Sequence, residues 1–132
     1  MEDAAFSDEF CQFLRVAVPT VDAAELLLLV QRERERWWSA AEAAAALAPG
    51  VSVSEADVAS YFDIFQSSAL VALAPDKRVQ YRPAHSTLEA HTRLLARAYG
   101  ERPVTLIRVI YALRDNKIQS FADAFRLRRH EP

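Results

Sequence analysis

Trp37–Arg82, with one flanking residue at either end, reads RWWSAAEAAAALAPGVSVSEADVASYFDIFQSSALVALAPDKRVQYRP. Ser39-x-x-Glu42 and Ser54-x-x-Asp57 each place a hydroxyl three residues ahead of a carboxylate. That spacing satisfies backbone N–H groups at a helix start. The first helix so marked, Ala40 to Ala48, is nearly all alanine and stops at Pro49-Gly50, where proline cannot continue and glycine can turn. Its small side chains let a neighbouring helix approach closely. In the second, Val58, Phe62 and Phe65 recur at i, i+4 and i+7, with Ala59 and Tyr61 broadening the stripe. Glu55, Ser60, Asp63 and Ser67 fall on the opposite face. Leu70 to Leu73 then reads as a short apolar strand, Pro75-Asp76-Lys77 as a turn, and Arg78 to Arg82 as an exposed alternating strand.

Toward the N-terminus, residues 3–14 put Phe6, Phe10, Phe13 and Leu14 on one helical face, and Pro19 ends that helix. Asp22 with Glu25 also has capping-box spacing, opening a helix from Ala23 to about Arg36. Leu26, Leu27, Leu29 and Val30 are its inward residues, and the run Gln31–Arg36 (QRERER) is a solvated face. Toward the C-terminus, Ser86 is the expected cap of a helix carrying Leu88, His91, Leu95 and Tyr99 on one face and ending at Gly100. Pro103 opens PVTLIRVIYALRD at a helix position where proline is tolerated. That helix is apolar over most of its circumference, so the core or a second subunit must cover it on more than one side. A last helix follows Ser120, with Ile118, Phe121, Ala122 and Phe125 on one face and Arg126, Arg128 and Arg129 at its basic end.

In this order the central elements resemble the winged helix-turn-helix superfamily, broadly in the MarR or ArsR manner, over roughly residues 22–83. YFDIFQSSALV stands where such proteins carry the recognition helix and the turn into the wing, and Ala69 occupies the place often held by glycine. The resemblance implies a mainly α fold with a small β-hairpin. It divides the chain into an N-terminal helical arm (1–18), a winged-helix domain (19–83) and a C-terminal helical region (84–132) that packs on it or forms a dimer interface. It also implies a small DNA-binding transcriptional regulator acting as a homodimer.

Composition is compatible with this reading. The 132 residues are 52% hydrophobic and 26% charged, values of a globular chain with one core. The longest greasy run, Leu26–Val30, is far below the roughly 18 apolar residues that span a bilayer. The acidic start MEDAAFSDEF is the opposite of a secretory n-region, and a lone Cys11 suits a reducing cytoplasm, so the expected compartment is cytoplasmic. Charge is unevenly placed. Residues 1–66 hold 12 Asp and Glu against 4 Lys and Arg, whereas residues 67–132 hold 6 against 12. An acidic front and a basic back fit either mutual contact or a nucleic-acid surface in the second half.

Catalytic chemistry has no foothold in the sequence. Two glycines, Gly50 and Gly100, cannot build a phosphate loop, and His85, His91 and His130 lack metal-ligand spacing. Asp57 and Asp63 do not share a helical face, which makes them a poor acid–base pair. The expectation is a non-enzyme with no cofactor, no metal and no membrane partner. DNA contact would fall to Lys77, Arg78 and Arg82 on the wing, with Ser60 and Gln66 as base readers. The helix from Ser54 to Gln66 has no Lys or Arg, so Glu55, Asp57 and Asp63 offer the alternative of a protein-docking face. Phe6, Phe10, Phe13, Ile107, Ile110, Phe121 and Phe125 are the expected dimer contacts. An enzyme subunit or ligand sensor, with a pocket between the apolar helix at Val104–Leu113 and the wing domain, is a third reading.

Overall fold

The computed structural model describes residues 6–47 and 53–114. Its elements are α1 (Asp8–Ala17), α2 (Val21–Arg32), α3 (Ala40–Ala46), α4 (Glu55–Ser67), β1 (Val71–Leu73), β2 (Val79–Tyr81) and α5 (Ser86–Glu101). A further helix, α6, covers residues 103–114. The fold is mainly helical with one two-stranded antiparallel sheet, in which Val71 faces Tyr81 and Leu73 faces Val79.

α2 lies at the centre. Ala23, Ala24 and every residue from Leu26 to Val30 are buried, Leu28 included, so the helix is covered on all sides rather than on one face. It touches α4, α5 and β2. Its cap is Thr20, whose hydroxyl accepts from the Ala23 N–H at 3.0 Å, and not the expected Asp22. The same Thr20 hydroxyl donates to Tyr61 Oη at 2.9 Å, which ties the helix start to α4. α2 stops at Arg32, short of the expected Arg36, because the chain must turn and become extended to reach Trp38.

One hydrophobic cluster runs from Phe6 to Leu113. The residues expected to form an arm belong to it: Phe10 and Leu14 are fully buried and Phe13 nearly so. Ser7 caps α1 through the Phe10 N–H at 3.0 Å, which leaves Phe6 just outside the helix and packed back on Phe10. Both central capping boxes form as expected, at Ser39/Glu42 and Ser54/Asp57. α5 begins one residue earlier than its expected cap allows. His85 holds the capping position without a side-chain bond, Ser86 is already helical, and the helix continues through Gly100. Thr92, Leu95 and Ala98 are its buried face, with Leu88, His91 and Tyr99 at the margin. The expected last helix, with Phe121 and Phe125, lies outside the described residues, as do Pro49 and Gly50.

The exit from α4 is sharply defined. Leu70 N–H reaches Phe65 C=O at 2.9 Å and Ala69 N–H reaches Gln66 C=O at 3.0 Å, the paired bonds of a Schellman C-cap. Ala69 itself sits at φ 63, the left-handed region that glycine enters freely and alanine does not. Ala69→Gly is therefore expected to stabilise the chain by about 0.5–1 kcal/mol, the relief of strain exceeding the extra freedom gained by the unfolded chain. An upward shift of the urea midpoint at unchanged slope is the readout.

Candidate functional site

α3 packs on α4, and the hairpin that follows α4 folds back beside both. Between them lies an open groove of about 530 Å³. Ala40 and Ala41 at the start of α3, Ala59 and Phe62 on α4, and Leu73 and Val79 on the hairpin form its apolar floor. Small side chains on α3 make the room, and Leu73 remains 48% exposed there. The rim is polar and mostly acidic: Glu55, Asp63 and Gln66 from α4, and Asp76 and Lys77 from the turn. Three carboxylates thus surround one ammonium.

The expected DNA-contacting residues are not gathered on this groove. Gln66 and Lys77 line it, but Ser60 is exposed on another part of α4. Lys77 takes φ 73 at the hairpin tip. Arg78 is held by Asp76: its N–H donates to Oδ1 at 3.1 Å and its Nε lies 3.6 Å from Oδ2. Arg82 donates to the Gln80 side-chain carbonyl and lies over the Trp37 ring at 5.8 Å. Alternation along β2 places Gln80 and Arg82 opposite Val79, so Arg82 projects from the side away from the groove floor.

The acidic candidates divide in the same way. Glu55 and Asp63 face the groove, whereas the Asp57 carboxylate accepts the Ser54 N–H at 3.3 Å and serves as a cap. Asp76, which the sequence offered only as a turn residue, is the third carboxylate of the rim. A hairpin tip has no sequence spacing to the helix it faces, so this juxtaposition was not visible in advance.

The expected dimer contacts also separate. Phe6, Phe10, Phe13 and Ile110 are buried within one chain, so they have no area to offer a second one. Ile107 is half-buried, and Phe121 and Phe125 lie outside the described residues. His91 packs between Phe13 and Phe10, with ring centroids 5.2 and 6.1 Å away, as expected of a core-margin histidine. Among the described residues no group of His, Cys, Asp and Glu could hold a metal.

A second polar centre ties the hairpin to α5. Glu89 on α5 receives Arg34 Nη2 at 2.9 Å, Arg93 Nε at 3.1 Å and the Tyr81 hydroxyl at 2.9 Å. Arg93–Glu89 has ordinary helical spacing. Arg34 comes from the charged run after α2, 55 residues away, where the sequence showed only a wet face. The Arg34 hydrogen bond holds the Glu89 carboxyl below its usual range, against the opposing effect of its burial. Burial pushes the Tyr81 hydroxyl up to about 12, so it remains a donor at every ordinary pH.

No protein family, curated protein sequence or solved structure matches the chain. The site therefore has to be read from its own chemistry.

A carboxylate whose folded pKa is depressed adds stability above its unfolded pKa, and that stability is lost as pH falls through the folded value. Glu89 is such a group, with an ordinary value of 4.5. Glu89→Gln should therefore lower the urea midpoint at neutral pH, and the gap to wild type should close as pH falls below 4.5. Equal midpoints at neutral pH would show that the cluster contributes nothing to stability.

Proposed function

We propose that the chain is a winged-helix protein-interaction module whose groove between α4 and the hairpin receives a basic, partly apolar segment of another protein. The winged-helix reading is supported by the order α2, α3, α4, β1, β2 and by the extended Trp38 paired with Val79 ahead of α3. It is also supported by Ala69 in a left-handed conformation where the superfamily often places glycine.

The observation that carries the docking role is the acid-rimmed, apolar-floored groove. Glu55, Asp63 and Asp76 surround a surface of alanine, Phe62, Leu73 and Val79. Phosphates brought to this face would meet Glu55, Asp63 and Asp76, offset by Lys77 on the rim and by Arg78 paired to Asp76, a net negative charge that opposes nucleic-acid binding. A ligand bearing Arg or Lys beside Leu, Val or Phe satisfies both parts. Its cations meet the rim, and its apolar side chains cover a floor that water solvates poorly. Each rim contact at about 4 Å is worth on the order of 1 kcal/mol in water, so several together with apolar burial give a specific but moderate affinity.

The DNA-binding regulator remains the competing proposal, supported by the exposed Lys77, Arg78 and Arg82 on the hairpin. The two readings predict opposite outcomes. A labelled peptide alternating arginine and leucine is expected to bind the full chain. The double variant Glu55→Lys, Asp63→Lys is expected to weaken it about tenfold or more, or roughly 1.4 kcal/mol. Random duplex DNA at low salt should show no retardation by the wild-type chain. Salt-dependent retardation of duplex with no peptide binding would overturn the docking role and restore the regulator.

A further inference from the structure

The groove between α4 and the hairpin carries open charges of opposite sign on its two walls. On the α4 wall, Glu55 and Asp63 are exposed, and neither forms an ion pair or a side-chain hydrogen bond among the described residues. They stand about 12 Å apart along the helix. On the hairpin wall, Asp76 is already engaged. Its carboxylate accepts the Arg78 backbone N–H at 3.1 Å and lies 3.6 Å from the Arg78 Nε. The open charge on that wall is therefore the ammonium of Lys77, which is exposed and forms no ion pair among the described residues.

The backbone at Lys77 is a second, independent observation. Lys77 takes φ 73, the left-handed region that glycine or asparagine enters at less cost than lysine. Two hydrogen bonds hold the turn in that shape. Lys77 N–H donates to Ala74 C=O at 2.9 Å, and the Asp76 carboxylate holds the N–H that follows. Backbone strain of this kind collects where a side chain is needed in a set place, ligand clamps among them. Here it keeps a cation on the rim of a groove whose other wall carries two free carboxylates.

Resting on the docking role proposed above, we infer that Lys77 is a specificity-determining residue of the groove: it selects a docking segment that carries an Asp or Glu beside its Arg or Lys. The cations of such a segment meet Glu55 and Asp63, and its carboxylate meets Lys77. A uniformly cationic segment sets a like charge against Lys77, which costs affinity at low ionic strength. Opposite charges on the two walls also fix the direction in which the segment lies, because reversing it brings like charges together on both.

The test is a series of labelled peptides, titrated into the full chain at low salt. The parent alternates arginine and leucine, and each member has one arginine replaced by glutamate. At one position of the series glutamate is expected to strengthen binding to the wild type about threefold or more, although the peptide has lost a cation. Lys77→Asn, which suits the left-handed backbone, should abolish that gain, and Lys77→Glu should turn it into a loss. Unchanged far-UV circular dichroism should accompany both variants, and Lys77→Asn should still bind the parent peptide. If every replacement weakens binding to the wild type, the inference is overturned while the docking role stands. A gain that persists in both Lys77 variants overturns it as well. Failure of the parent and of every member to bind removes the docking role and this inference with it.

Discussion

The reciprocal backbone pairing of Trp38 with Val79 holds the two halves of this fold in register. Trp38 N–H reaches Val79 C=O at 2.8 Å, and Val79 N–H reaches Trp38 C=O at 2.9 Å. This single bridge attaches the segment between α2 and α3 to the hairpin that follows α4. The Trp38 side chain is fully buried, and the Arg36 guanidinium covers its ring at 3.7 Å. Its indole N–H finds no acceptor among the described residues, a cost of about 1–3 kcal/mol that the packing of so large a ring outweighs. A two-stranded hairpin alone is marginal in water, and the bridge gives β2 a second neighbour.

From that attachment the groove follows. With β2 fixed, the turn at Asp76 and Lys77 has one place to lie, opposite Glu55 and Asp63 on α4. The Glu89 cluster ties the same strand to α5 through Tyr81, and Gln80 donates to the Glu35 carbonyl at 2.9 Å. The hairpin is thus held by the segment between α2 and α3, through Trp38 and Glu35, and by α5. A surface built this way is preorganised, so a ligand loses little free energy in ordering it. What the surface attracts is set by charge, and the rim is acidic.

Much of the fold was legible because its signals are local. Both serine capping boxes, the apolar stripe on α4 and the turn between the strands are patterns within a few residues, and each forms where the spacing placed it. Asp22 and Ser86 were plausible caps, but Thr20 caps α2 while also donating to Tyr61, and α5 starts at Ser86 with no side-chain cap. The acidity of α4 was also visible, since that helix contains no Lys or Arg. Asp76 in the rim and Arg34 on Glu89 were not, because both depend on partners far away in the chain. The α1 phenylalanines show the limit of periodicity. It identifies an apolar face without saying whether the chain itself or a second copy covers it.

If the bridge is what holds the groove in place, the Trp38 and Val79 amides should be among the most protected in the molecule. Native-state amide hydrogen exchange resolved by residue is the most direct measurement. The expected result is that both protons exchange only through global unfolding, with the same free energy as the buried amides of α2. Exchange of either at the rate of an open loop, while α2 stays protected, would show that the hairpin detaches on its own and that the groove is not preformed.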